Sequence, residues 1–428
     1  MATYAAMNER VDSRTKTAAE AATAAKEPGA VAGWARALRA IPAATAIVAA
    51  LGMIGGVSCG GSFYPQVTGS PTASTTTTIS PTAGNFLFSS NNGDGKVAEF
   101  KRNKTTGVIA LTGSVAAGSS GGPTGIANGP GSKYVYVANS VDGQVEQYKV
   151  TPGTGVLTSI GTIATGSQPQ WIAVNPAGAY AFVTNQGAGG AAGTISQYTI
   201  SSSAGTLKSN GGAFSSSLLT SPQGAVATSG YLFVADRAQG SVVSFPISST
   251  GTLLTGTSAP IGNGAGFSFP VNLVLDPANY TSLGVGYLYA ADATTGFVYA
   301  VSYSLTNGQP AYLNSFPSST AGLGGMAIAQ LSGGEFLYVA NQKISPPSIT
   351  AFIVTAGTLT FAALYTDPSL NLPTGLAIGP NQTNLYVTNQ GNGTISQFAI
   401  SSTGALTFVK VVNTESPTSA PLYLTLTD

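Results

Sequence analysis

One phrase recurs along this chain: "FLFSSN" (86–91), "YVYVAN" (134–139), "YAFVTN" (180–185), "YLFVAD" (231–236), "YLYAAD" (287–292), "FLYVAN" (336–341) and "NLYVTN" (384–389). Consecutive end positions lie 48, 46, 51, 56, 49 and 48 residues apart. A period near fifty marks one structural unit copied in tandem, which buries its apolar faces only against its neighbours. That restricts the body of the chain to repeat architectures.

Each copy has four parts. The apolar run comes first, and a Gly-containing turn leads to a second run such as "GQVEQYKV" (143–150). A tight Gly turn such as "TGVLT" (154–158) opens a third, and a Pro-initiated run such as "PQWIAVNP" (169–176) ends the copy. Short runs rich in Val, Ile, Tyr and Phe between Gly, Asn and Pro are strands joined by hairpins. "YVYVAN" does not alternate apolar with polar residues, so it reads as a strand covered on both faces. The expected fold is therefore all-β: a seven-bladed β-propeller with four-stranded blades over 84–428. The first copy has no preceding Pro-initiated strand, whereas "APLYLTLTD" (420–428) is such a strand with nothing after it. The C-terminal strand is expected to complete the first blade and close the ring, leaving no open seam.

The N-terminal region is different. Charged residues scattered among alanines to Arg39 precede the uncharged "AIPAATAIVAALGMIGGVS" (40–58) and then "CGGS". That order is the order of an export signal. Residues 1–58 read as a signal peptide or an uncleaved membrane anchor. Cys59 resembles the lipid-bearing cysteine of a bacterial lipoprotein, although Gly56 stands where an aliphatic residue is usual. Residues 59–83, rich in Ser, Thr, Pro and Gly, read as a disordered tether. The chain is accordingly expected at the bacterial cell envelope, exported and lipid-anchored on a periplasmic or cell-surface face.

Composition limits the chemistry. The chain has no His, one Cys and a formal net charge of +1. It therefore lacks the side chain that titrates nearest neutrality, and no Ser-His-Asp arrangement can exist. Neither a cysteine-rich metal site nor nucleic-acid binding is expected. The recurring Asn91, Asn139, Asn185, Asp236, Asp292, Asn341 and Asn389 could ring a ligand. They read better as turn locks accepting backbone amides, because they occur in every copy while an active site is asymmetric. Trp171, in an apolar strand, reads as core.

"YVTN" stands at 386–389 and "FVTN" at 182–185. Together with the Pro-initiated strands and "TGxL" hairpins, they resemble the YVTN and lactonase-type seven-bladed propeller families across 84–428. For enzymatic members, including phosphogluconolactonase-like and muconate-cycloisomerase-like proteins, the resemblance implies His, Arg and Glu near the channel mouth. Here the residues following the strand-initiating prolines, Thr124, Gln170, Gln223, Asn272 and Thr374, are expected at that mouth as binding groups. None of them titrates near neutrality.

These observations lead to the expectation of a membrane-tethered propeller acting as a binding or scaffold module. It would contact an envelope protein, peptide or glycan through its loops, without cofactor or metal. The alternative is a divergent lactonase-like hydrolase, related to 6-phosphogluconolactonase or muconate cycloisomerase, with Asp236, Arg237 and Asp292 as its acid/base group. Convergence of two or more of Asp236, Arg237, Asp292 and Glu335 in one concave pocket would favour the enzyme.

Overall fold

The structure, a computed structural model, describes residues 86–427 except 119–121, 261–268, 279–280 and 320. Residues 1–58, expected to be a signal or anchor, Cys59, and residues 59–83, expected to be a tether, lie outside the described residues. The strands, numbered β1–β28 along the chain, form seven four-stranded antiparallel sheets. The period had predicted seven blades, and seven are present.

Blade 1 runs β28 (Pro421–Leu426), β1 (Phe86–Asn91), β2 (Lys96–Arg102) and β3 (Ile109–Ala116). The last strand of the chain therefore completes the first blade, pairing Leu87 with Leu426 and Ser90 with Tyr423. Thr427 fastens this joint: its hydroxyl accepts from the Phe86 amide at 3.0 Å and its amide donates to the Phe86 carbonyl at 2.9 Å. The inner strands of blades 2 to 7 are β4 (Pro123–Asn128), β8 (Pro169–Val174), β12 (Pro222–Ala227), β16 (Pro270–Leu275), β20 (Leu323–Leu331) and β24 (Pro373–Ile378). Each meets the next, and β28 meets both β24 and β4, so the inner strands surround one axis.

Second in each blade stand β1, β5 (Tyr134–Asn139), β9 (Tyr180–Asn185), β13 (Tyr231–Asp236), β17 (Val285–Asp292), β21 (Gly334–Asn341) and β25 (Asn384–Asn389). β5 is buried at every position, as a strand sandwiched between two neighbouring blades must be. The outermost strand of the same blade, β7 (Leu157–Ala164), is largely exposed. The cores lie between blades. Tyr136, Val145, Ile172, Val183 and Tyr198, for example, fill the gap between blades 2 and 3. Each such side chain contributes about 1.5–3 kcal/mol.

A second device couples adjacent blades. Gly205, in the turn that opens the outer strand of blade 3, has φ +70°, and an added Cβ would lie 2.2 Å from the ring of Tyr134 in blade 2. Only glycine both takes this conformation without strain and admits the ring.

Pairings such as Pro123 with Asn139 and Pro270 with Asp292 put the start of each inner strand beside the end of the second strand. These ends make up the proline face. The opposite face carries the other ends, among them Glu335 paired with Gln330.

Candidate functional site

The Asn and Asp residues that end the second strands are all fully buried. The Asn139 side-chain oxygen accepts from the amides of Val141 and Asp142, both at 3.0 Å, in the turn that follows. Asp236 accepts from the Thr220, Ser221 and Gln239 amides, and Asp292 from those of Phe269, Thr294 and Thr295. Both carboxylates hold the turn together, as the turn-lock reading requires. Arg237 is exposed, with Cζ 5.5 Å from the centroid of the Phe269 ring, a cation–π contact. The three candidate acid/base residues thus share the proline face, but only Arg237 presents its head group to solvent.

Glu335 is on the opposite face and does not join them. It meets Asp276, which follows β16 in the neighbouring blade and accepts from the Ala278 amide at 2.9 Å and the Tyr289 hydroxyl at 3.3 Å. Burial pushes the Glu335 carboxyl up to about 7, and the charge of Asp276 and a hydrogen bond to it push in the same direction. With Asp276 beside it the neutral form of the Glu335 carboxyl is favoured, because two adjacent carboxylates cannot both ionise at ordinary cost.

The residues expected at the mouth divide. Thr124 and Thr374 are buried between blades, not open to it. The Thr124 hydroxyl lies 3.0 Å from the Pro169 carbonyl and that of Thr374 lies 3.0 Å from the Pro421 carbonyl, each a bond to the next inner strand. The cause is a register shift just after the initiating residue, which turns this position toward the neighbouring blade. Gln170 does open outward, beside Gln168, Gln186 and Asp142, in a hollow of about 570 Å³ between blades 2 and 3. Gln223 is half-buried, its Nε2 enclosed with no acceptor among the described residues.

Asn272 is buried, and its Oδ1 accepts from the Met326 amide at 3.3 Å. It also lines a hollow of about 110 Å³ among the inner strands, together with Ile126, Trp171, Gly325, Leu376 and Tyr423. Trp171, read from the sequence as core, is half-buried and lines this hollow. Its ring meets that of Tyr423 edge-on, with centroids 4.6 Å apart. Sequence reasoning missed Tyr423 altogether, although "APLYLTLTD" had already been placed as the closing inner strand.

With this geometry established, comparison with known proteins is informative. The family model described as lactonase, 7-bladed β-propeller, matches residues 64–166, 140–266 and 285–421. Among solved structures, the periplasmic gluconolactonase of Pseudomonas aeruginosa is 18% identical with a TM-score of 0.65, over 81% of this chain and 99% of that one. A candidate 6-phosphogluconolactonase from Bacteroides fragilis is 20% identical with a TM-score of 0.65, over 81% and 98%. A protein from Lactobacillus plantarum is 18% identical with a TM-score of 0.66, over 81% and 99%. At these identities the structural likeness speaks for the fold. No curated protein matches the chain.

Proposed function

The chain belongs to the seven-bladed lactonase β-propeller family, and we propose that it hydrolyses a lactone at the proline face of its channel. The family match, which runs through most of the propeller, carries this reading. It overturns the expectation of a non-catalytic binding or scaffold module, which rested on the missing histidines and the uncharged mouth. Fold alone would not choose between the two roles.

In the reaction, the oxygen of water bonds to the lactone carbonyl carbon and the ring C–O bond breaks. One proton passes to the departing ring oxygen and the other leaves with the new carboxylic acid. The protein has two tasks: to stabilise the charge that develops on the carbonyl oxygen and to hold the substrate in place. Arg237 suits the second, because a guanidinium binds a carboxylate or phosphate through paired N–H bonds. Asp236 and Asp292 support the loops around it through their amide bonds. A lactone bearing an anionic group is the substrate that would use this cation.

The test is a panel of neutral, carboxylated and phosphorylated sugar lactones assayed against the protein and Arg237→Ala. The reading expects turnover, with KM for the anionic lactones raised on the order of tenfold in the variant, since a charged hydrogen bond contributes about 1.5–3 kcal/mol. Absence of turnover across the panel would overturn it.

A further inference from the structure

The inner strands differ at one equivalent position, the third residue from the start. It is Gly125, Gly224, Gly325 and Gly375 in blades 2, 4, 6 and 7, but Trp171, Asn272 and Tyr423 in blades 3, 5 and 1. At each glycine an added Cβ would lie less than 3 Å from the backbone of the next inner strand, 2.7 Å from Trp171 Cα at Gly125 and 2.4 Å from the Leu422 carbonyl oxygen at Gly375. Backbones therefore touch at the waist of the ring. Trp171, Asn272 and Tyr423 each directly follow a glycine blade, and all three line the hollow of about 110 Å³.

Two donors there have no partner among the described residues. Asn272, only 5% exposed, uses its Oδ1 on the Met326 amide and makes no bond through Nδ2 among the described residues. The Tyr423 hydroxyl likewise makes none, and Tyr423 is one of the residues that line the hollow. Its position deep between the blades pushes the phenol up to about 12, so it remains a proton donor throughout the neutral range. Donors held in a low-dielectric recess, with no protein acceptor to relinquish, are what a developing oxyanion requires. The volume corresponds to three or four waters at about 30 Å³ each. That suits an ester group and its adjoining ring carbons better than a whole sugar.

We propose that this hollow receives the ester end of the lactone, with Tyr423 Oη and Asn272 Nδ2 donating to its carbonyl oxygen and Trp171 packing against the C–H face of the ring. The proposal rests on the lactonase reading and adds the pocket to it. The anionic end of the substrate would then extend toward Arg237.

The chain has two tryptophans, so full-length protein carrying Trp34→Phe reports on Trp171 alone. Titration with glucono-1,5-lactone and its 6-phosphate should change Trp171 emission saturably. In the same background, Tyr423→Phe and Asn272→Leu should each lower kcat on the order of 100-fold, the effect of removing one oxyanion donor, with KM moving less than threefold. Hydrolysis with parental kcat in both variants, or emission unmoved by either lactone, overturns the pocket while leaving the lactonase reading in place. A saturable emission change without hydrolysis supports the pocket as a binding site and overturns the lactonase reading. The emission titration needs neither pocket variant to fold.

Discussion

Six of the seven junctions between blades lay an aromatic ring on a glycine: Phe86 on Gly155, Tyr134 on Gly205, Tyr180 on Gly251, Tyr231 on Gly308, Tyr287 on Gly357 and Phe336 on Gly404. At the seventh, between blades 7 and 1, Asn384 faces Gly107 in place of a ring. Gln397 donates to Asn384 Oδ1 at 2.6 Å, whereas Gln147 and Gln197 at equivalent places accept from the amides of Leu207 and Leu253 in the next blade. Buried Arg102 adds a bond of 3.0 Å to the Tyr386 hydroxyl, which itself donates to the Gly107 carbonyl at 2.6 Å. The apolar cluster at this joint has six buried residues, against nine to twelve at the other six. Where the first and last strands of the propeller meet, directional polar bonds and the borrowed strand β28 do work that apolar area does elsewhere. Such bonds define register, which matters most at a joint between segments far apart in sequence.

Three measurements sharpen or break this contrast. The largest effect should follow deletion of 420–428, which leaves β1 an unpaired inner edge and removes half of the seam. The expected result is loss of soluble, folded protein, read by circular dichroism and soluble yield. A truncated form with an unchanged melt would make the seam dispensable. Next is a matched pair of glycine variants. Gly205→Ala forces a positive φ on alanine and drives its methyl into the Tyr134 ring, and should cost about 2–4 kcal/mol in urea unfolding. Gly107→Ala has the same backbone problem, but its obstacle is the short side chain of Asn384, 2.1 Å away, which can turn aside at the loss of its bond from Gln397, so about 1–2 kcal/mol is expected. Equal losses would erase the difference between junction types.

The third measurement concerns pH at the junction of blades 5 and 6. The Glu335 carboxyl is raised from 4.5 to about 7 in the folded protein. Its contribution is therefore fully present below pH about 4.5 and is lost as pH rises through 7. Allowing for its partial exposure, the change should be about 1–2 kcal/mol. Glu335→Gln should flatten this part of the stability–pH curve, and an unaltered slope would show that the Glu335 carboxyl is not raised by its place beside Asp276.

The blade count, the four strands per copy and the closing strand were legible in the sequence because a tandem period records them directly. The turn role of Asp236 and Asp292 was legible for the same reason, since a residue present in every copy serves the repeat. Side-chain direction was not. Thr124 and Thr374 follow a strand-initiating proline, yet the local register shift turns their hydroxyls between blades. Trp171 read as core because its partner Tyr423 lies some 250 residues further along, and only ring closure brings them together. Glu335 and Asp276 belong to different copies, and Asp276 stands in a "DPAN" stretch that gives every sign of being only a turn.

The placement of β28 also constrains synthesis. Blade 1 is missing its inner strand until Pro421–Leu426 leave the ribosome, so the ring cannot shut before all seven repeats have been made. A chain that stops anywhere before Pro421 leaves the inner edge of β1 without its partner strand, a row of unpaired N–H and C=O groups that marks the ring as unfinished.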